Sequence, residues 1–293
     1  GRGLMPGDLN ALTLQEISGL VASGQVSPVD CVQASLELIR DSNGILEAFL
    51  SHDAEQSLVA AELAQTEIAK SGPRSPLHGI PVAVKDLFAV KGMIRTCGSR
   101  VFGAEKCTSD ATVVARLRRA GAIVIGMTSL NEFAYGPTGI NAVSATARNP
   151  WDHSRACGGS SAGSACAVAS GMVWGALGTD TGGSVRIPAS HCGITGLKPT
   201  FGRLSRHGIF PLSASFDHAG PLARTARDCA LLLEAMCGSD SQDPATWNRP
   251  TFEVARNVSP NELKGLRIGV PRAMFEADVA SDVSTVFEAP LVQ

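Results

Sequence analysis

Apolar residues recur at helical spacing over residues 53 to 70, and the polar residues ahead of them include the signals that start helices. Thr13 followed by Glu16 is a capping-box pattern that predicts a helix opening there. Ser27-Pro28 with Asp30 predicts a second, with Pro28 at the first helical position, where its missing N–H is not needed. The periodic stretch from 53 to 70 predicts a third helix, and the polar run from Ser71 to Pro76 ends it as a loop. The period then changes. Ile80 to Val84 is a short apolar run rich in β-branched residues, which predicts a strand buried on both faces with Lys85-Asp86 at its end.

Helices and strands alternate from there. Asp110 is expected to cap a helix through Arg119, Gly121 to terminate it, and Ala122 to Gly126 to form another buried strand. Ala162 to Ser170 reads as a helix of small residues, Val173 to Gly178 as a strand, and residues 226 to 236 as a capped helix. Residues 239 to 262 are polar and proline-bearing, which predicts a surface excursion before a strand at Arg267 to Val270. The alternation argues for an α/β sheet.

Composition narrows the function classes more than the fold. A chain of 293 residues with 44% hydrophobic content has ample material for a core. Its 25 basic and 27 acidic residues leave a formal charge of -2, so nothing in the balance attracts nucleic acid or an anionic membrane, and small near-neutral partners fit best. The densest positive run, Arg116, Arg118 and Arg119, lies on an amphipathic helix and reads as a solvated face. Eight cysteines without a C-x-x-C pair suit a reducing cytosol, and the N-terminus shows no secretory pattern, so a cytoplasmic location is expected. The longest uncharged stretch of small and apolar residues, Ala165 to Gly178, falls short of the roughly 20 residues a spanning helix needs. Six histidines without ligand spacing give no metal site, and nothing in the pattern requires a cofactor.

Candidate chemistry concentrates in two glycine-serine segments. Gly158 to Ser164 could bend tightly at a helix start and leave backbone N–H groups open, although taken alone it could equally be a flexible connector. It lacks the lysine of a phosphate-binding loop. Gly159-x-Ser161-x-Gly163 also matches a nucleophile elbow, but that motif must follow a strand, and Asn149 to Arg155 reads as turn-rich. Cys157 beside this segment has no evident positive partner and reads as a small packed residue. The second segment, Gly178 to Ser184, follows a predicted strand, where a sheet commonly delivers a ligand-facing loop. Gly182 and Gly183 would let successive N–H groups converge on an oxyanion, with Ser184 placed as nucleophile. Lys85, desolvated at a strand end, could serve as its base, or could simply pair with Asp86.

The three segments together, Pro81-Val82-Ala83-Val84-Lys85-Asp86, Gly158-Gly159-Ser160-Ser161 and Gly178 through Ala189, closely resemble the amidase signature family. The likeness extends to Asp110-Ala111-Thr112, Asn149-Pro150-Trp151 and Gly196 to Arg203, covering roughly residues 10 to 240. The resemblance implies a single domain over residues 1–293, a three-layer α/β/α fold with a twisted, mixed, largely parallel sheet. It also implies that Ser184 attacks a carbonyl, that Ser160 in a cis peptide relays the proton, and that Lys85 receives it. By the same likeness the N–H groups of Thr181, Gly182, Gly183 and Ser184 hold the oxyanion, and Tyr135 and Gly136 lie beside the substrate. The bland alternative for Tyr135 is core packing. Ser161 would support the loop, and Asp180 and Arg186 are expected to tie it together as an ion pair.

Family members generally continue past the equivalent of Gln293, so the C-terminal part is expected to be missing, and with it much of any substrate pocket. The leading reading is a stand-alone amidohydrolase acting on a small amide, carbamate or urea-type molecule, with no direct nucleic-acid or membrane partner; a homodimer is compatible with it. The second is the glutamine-hydrolysing subunit of a tRNA-dependent amidotransferase. A catalytically inert scaffold is a third reading, disfavoured because all three reactive positions are present.

Overall fold

The first two predicted helix starts both form as capping boxes. In the computed structural model, which describes residues 9–249, 253, 264–270, 272 and 279–289, the hydroxyls of Thr13 and Ser27 accept the N–H groups of Glu16 and Asp30, whose carboxylates reach back to the cap N–H groups at 2.8 Å in each case. They open α1 (Leu14–Ala22) and α2 (Pro28–Leu46). Next come β1 (Phe49–His52), α3 (Ala54–Ser71), β2 (Pro81–Lys85), α4 (Thr112–Ala120) and β3 (Ile123–Thr128). A hairpin of β4 (Arg148–Asn149) and β5 (Asp152–Ala156) leads into α5 (Ala162–Ala169), β6 (Gly175–Asp180) and α6 (Arg186–Cys192). The series continues through β7 (Thr195–Gly196), β8 (His218–Ala223) and α7 (Ala226–Met236).

The main sheet runs β1-β3-β2-β6-β8-β7. Its middle strands, β3, β2 and β6, are mutually parallel, and the flanking pairings are antiparallel. Alternation along each strand sorts side chains to two cores. Val82, Val84, Val124 and Leu177 face α1, α4 and α7. Ala83, Ile125, Ala176 and Leu222 face the small residues of α5 and α6. A helical layer thus lies on each face of a mixed sheet, the α/β/α architecture expected.

Small residues let α5 lie close to the sheet. A Cβ at Gly163 would sit 2.3 Å from the Ala48 carbonyl oxygen and 2.4 Å from the Ser129 nitrogen. The connector reading of this segment therefore fails: Gly158 to Ser164 is buried and fixed.

Several local expectations are corrected. Asp110 does not cap α4; Ala111 holds the cap position, and the Asp110 carboxylate instead accepts the Lys91 N–H at 2.7 Å. Arg116 leaves the solvated face to donate to the carbonyls of Met236, Gly238 and Ser239 at the end of α7. Residues 239–249 are no mere excursion, because Asp240, Asp243 and Thr246 are buried and Asp240 binds the hydroxyls of Ser205 and Thr112. Most of the remainder of that stretch lies outside the described residues. Residues 267–270 form no strand.

Contacts divide the chain into Gly1–Val254 and Ala255–Gln293. In the second unit the described residues include α8 (Ser281–Glu288), with an Arg272–Glu288 ion pair. No helix among the described residues is long and apolar enough to cross a membrane.

Candidate active site

Strand parity places the first reactive group. Val82 and Val84 face one core and Ala83 the other, so Lys85 falls on the face of Ala83, where the start of α5 lies. Asp86 turns the opposite way and accepts the N–H groups of Thr96 and Gly98, which removes the Lys85–Asp86 pairing as a reading. Lys85 is wholly buried. Its Nζ lies 2.8 Å from Ser160 Oγ and 2.8 Å from Thr179 Oγ1. Thr179 was not singled out in the sequence; it lies two residues past Leu177, the parallel partner of Val84, and its hydroxyl meets the Lys85 amine near the ends of the two strands.

Burial lowers the Lys85 pKa to about 7, against the opposing pull of Asp180, Asp217 and Cys97. An amine in that state is partly neutral at physiological pH and can take a proton from the hydroxyl it touches.

Ser160 sits in a cis peptide bond after Gly159, immediately before α5. The loop is held from behind by Asn131, a second residue that sequence reading missed. Asn131 accepts the Gly139 N–H at 2.9 Å, donates to the Ile140 carbonyl at 2.8 Å, and its own N–H reaches the Ser160 carbonyl at 3.3 Å. A Cβ at Gly159 would meet Asn131 Oδ1 at 2.1 Å, so glycine is required there.

Ser161 is not available as a nucleophile. Its hydroxyl is buried and engages both the N–H and the carbonyl of Thr179 at 3.3 Å. The elbow reading fails for this reason and not for want of a preceding strand, because Asn149 and Asp152 to Ala156 do pair as strands just ahead of the loop. Cys157 is buried, and contact with the Cys166 thiol followed by burial pushes its pKa up, which removes a thiolate.

Ser184 lies past the end of β6, with its carbonyl accepting the Ser161 N–H at 3.2 Å. It is half-buried and its hydroxyl makes no hydrogen bond to the described residues, Ser160 included. The loop around it is shaped by Asp180, which accepts the N–H groups of Gly183 at 2.9 Å and Val185 at 3.1 Å and pairs with Arg186 at 3.0 Å. Burial opposes the Asp180 carboxylate, but Arg186 and the Val185 N–H outweigh it and hold the pKa below its ordinary value. Of the four N–H groups expected to face an oxyanion, that of Gly183 is therefore taken, while those of Thr181, Gly182 and Ser184 bond to no acceptor among the described residues.

Tyr135 is 83% exposed, so core packing is excluded, and it precedes the segment whose Pro137 carbonyl binds the Gly159 N–H at 2.6 Å. Gly136, at φ +145°, packs against Asn131. A cavity of about 310 Å³ opens beside Thr179, bounded by Leu87, Phe210, Leu212, Asp217 and His218. Among the described residues no cluster of histidine, cysteine or carboxylate is placed to hold a metal ion.

The amidase family model matches residues 30–292. Among glutamyl-tRNA(Gln) amidotransferase A subunits, that of Anaeromyxobacter dehalogenans is 43% identical over 97% of this chain and 58% of its own length. Among solved structures, native peptide amidase from Stenotrophomonas maltophilia matches at 37% identity and TM-score 0.79, over 83% of this chain and 51% of that one. The corresponding glutamyl-tRNA(Gln) amidotransferase chain from Thermotoga maritima matches at 38% identity and TM-score 0.72, over 83% and 50% respectively. The chain thus spans little more than half the length of the relatives it matches.

Proposed function

Given that this chain belongs to the amidase family, we propose that it hydrolyses an amide-type C–N bond through an acyl-enzyme on Ser184. The observation that carries this reading is the buried Lys85 amine in hydrogen-bond contact with Ser160, on the loop whose next residue binds the Ser184 carbonyl. Ser184 Oγ attacks the substrate carbonyl carbon after rotation about its single side-chain torsion. Its proton passes to Ser160 as the Ser160 proton passes to Lys85 Nζ. Negative charge on the carbonyl oxygen is met by the free N–H groups of Thr181, Gly182 and Ser184. The proton then returns through Ser160 to the departing nitrogen, and water releases the acyl group.

The finer reading favoured by the relatives is glutamine hydrolysis within an amidotransferase, since glutamyl-tRNA(Gln) amidotransferase A subunits match at 43% identity. The second reading, a stand-alone amidase, draws on the likeness to peptide amidase at 37% identity. Assay of the full-length protein separates them. Glutamine hydrolysis stimulated by a co-purifying partner, with ammonia passed to a charged tRNA in the presence of ATP, supports the amidotransferase reading. Rapid solitary turnover of peptide amides supports the free enzyme. In either case Ser184→Ala is expected to abolish turnover, and full activity in that variant would end the proposal.

A further inference from the structure

The loop carrying Ser184 is gripped at two ends by two carboxylates. Asp180 holds the Gly183 and Val185 end from within. At the other end the Thr181 hydroxyl donates to Asp217 Oδ1. The second oxygen of Asp217 accepts the N–H groups of Leu212 at 2.8 Å and Ser213 at 2.9 Å. Leu212 and Asp217 both line the cavity beside Thr179. Among the described residues, the bond to Asp217 is the only hydrogen bond made by Thr181. Gly182, which follows it, leaves open space where a Cβ would sit.

We propose that Asp217 is a positioning residue that, through the Thr181 hydroxyl, fixes the oxyanion-facing N–H groups of the Ser184 loop to the wall of the adjoining cavity. This inference rests on the reading of Ser184 as nucleophile. A donor that must meet a developing oxyanion within a few tenths of an ångström loses most of its worth when its loop swings freely, and the loss appears in kcat more than in KM.

The charge of Asp217 supplies an independent readout. The groups acting electrostatically on Lys85 are Asp180, Asp217 and Cys97, and the two carboxylates favour the protonated amine. Removing the Asp217 charge makes Lys85 easier to deprotonate. The ascending limb of the pH profile of kcat/KM must then move to lower pH.

The test uses the full-length protein with L-glutamine or a para-nitroanilide, whichever the wild type turns over. Thr181→Val, which removes only the donor, is expected to lower kcat about 10- to 100-fold with KM within about threefold. Thr181→Ser, which restores a hydroxyl, should recover most of that loss. Combining Thr181→Val with Asp217→Ala should cost no more than the worse single change, and Asp217→Asn should shift the ascending limb to the acid side. Wild-type kcat in Thr181→Val, or full additivity in the double variant, overturns the inference while leaving Ser184 in place. Hydrolysis that survives Ser184→Ala overturns the functional reading itself.

Discussion

At the scale of single residues, everything turns on an amine with no exposed surface. A lysine in water would be protonated at neutral pH and could accept nothing, but burial brings Lys85 to about 7 and leaves a substantial neutral fraction. Below that pH the amine is charged and cannot serve as base; above it the amine is free. The rate constant kcat/KM is therefore expected to rise with pH through about 7. A profile flat between pH 5 and 9 would count against Lys85. Lys85→Met should lower kcat by at least about 10³-fold, as losses of a proton-transfer partner commonly do. Lys85, Ser160 and Ser184 were singled out in the sequence because their three short segments together resemble one family's pattern. Thr179, Asn131 and Asp217 were not, because their roles depend on partners brought near by strand register and loop closure. Thr179 touches Lys85 across 94 positions, and Asp217 reaches Thr181 across 36.

At the scale of elements, the decisive feature is how closely α5 approaches the sheet. Ser164 of this helix donates to the Leu177 carbonyl at 2.8 Å and lies 2.7 Å from the Thr128 hydroxyl, which fixes the helix start and with it Ser160. Glycine at 163 is what permits the approach, since a methyl group there would press on backbone atoms that cannot yield cheaply. Gly163→Ala is expected to destabilise the protein by about 1–3 kcal/mol, measured by urea unfolding. Gly19, within α1, has no atom near its missing Cβ. Gly19→Ala should instead stabilise by about 0.5–1 kcal/mol through the unfolded chain. Equal effects of the two changes would refute the packing argument. The first two α-helix starts were readable because a side chain made the cap, at Thr13 and Ser27. The reading failed at Asp110, where a loop N–H from 19 positions away competes for the same carboxylate.

At the scale of the whole molecule, the mixed sheet brings the C-terminal ends of two neighbouring parallel strands, β2 and β6, to one edge, and both candidate loops meet there. Alternating helix and strand signals made the α/β class readable, but not the strand order, which arises from pairings between distant segments. Partners belong to this scale too. Under the proposed amidotransferase reading, glutamine turnover by the full-length protein is expected to rise at least about tenfold on adding any protein that co-purifies with it, as ammonia-release assays would register. Unchanged turnover would favour the solitary enzyme. Whether Ser184 forms the covalent intermediate is decided by reacting the full-length protein with a fluorophosphonate and mapping the adduct by peptide mass spectrometry. One phosphonyl group is expected on Ser184, and none in Lys85→Met on the same timescale. A label on Ser161 or Cys157, or undiminished labelling after Ser184→Ala, would contradict it.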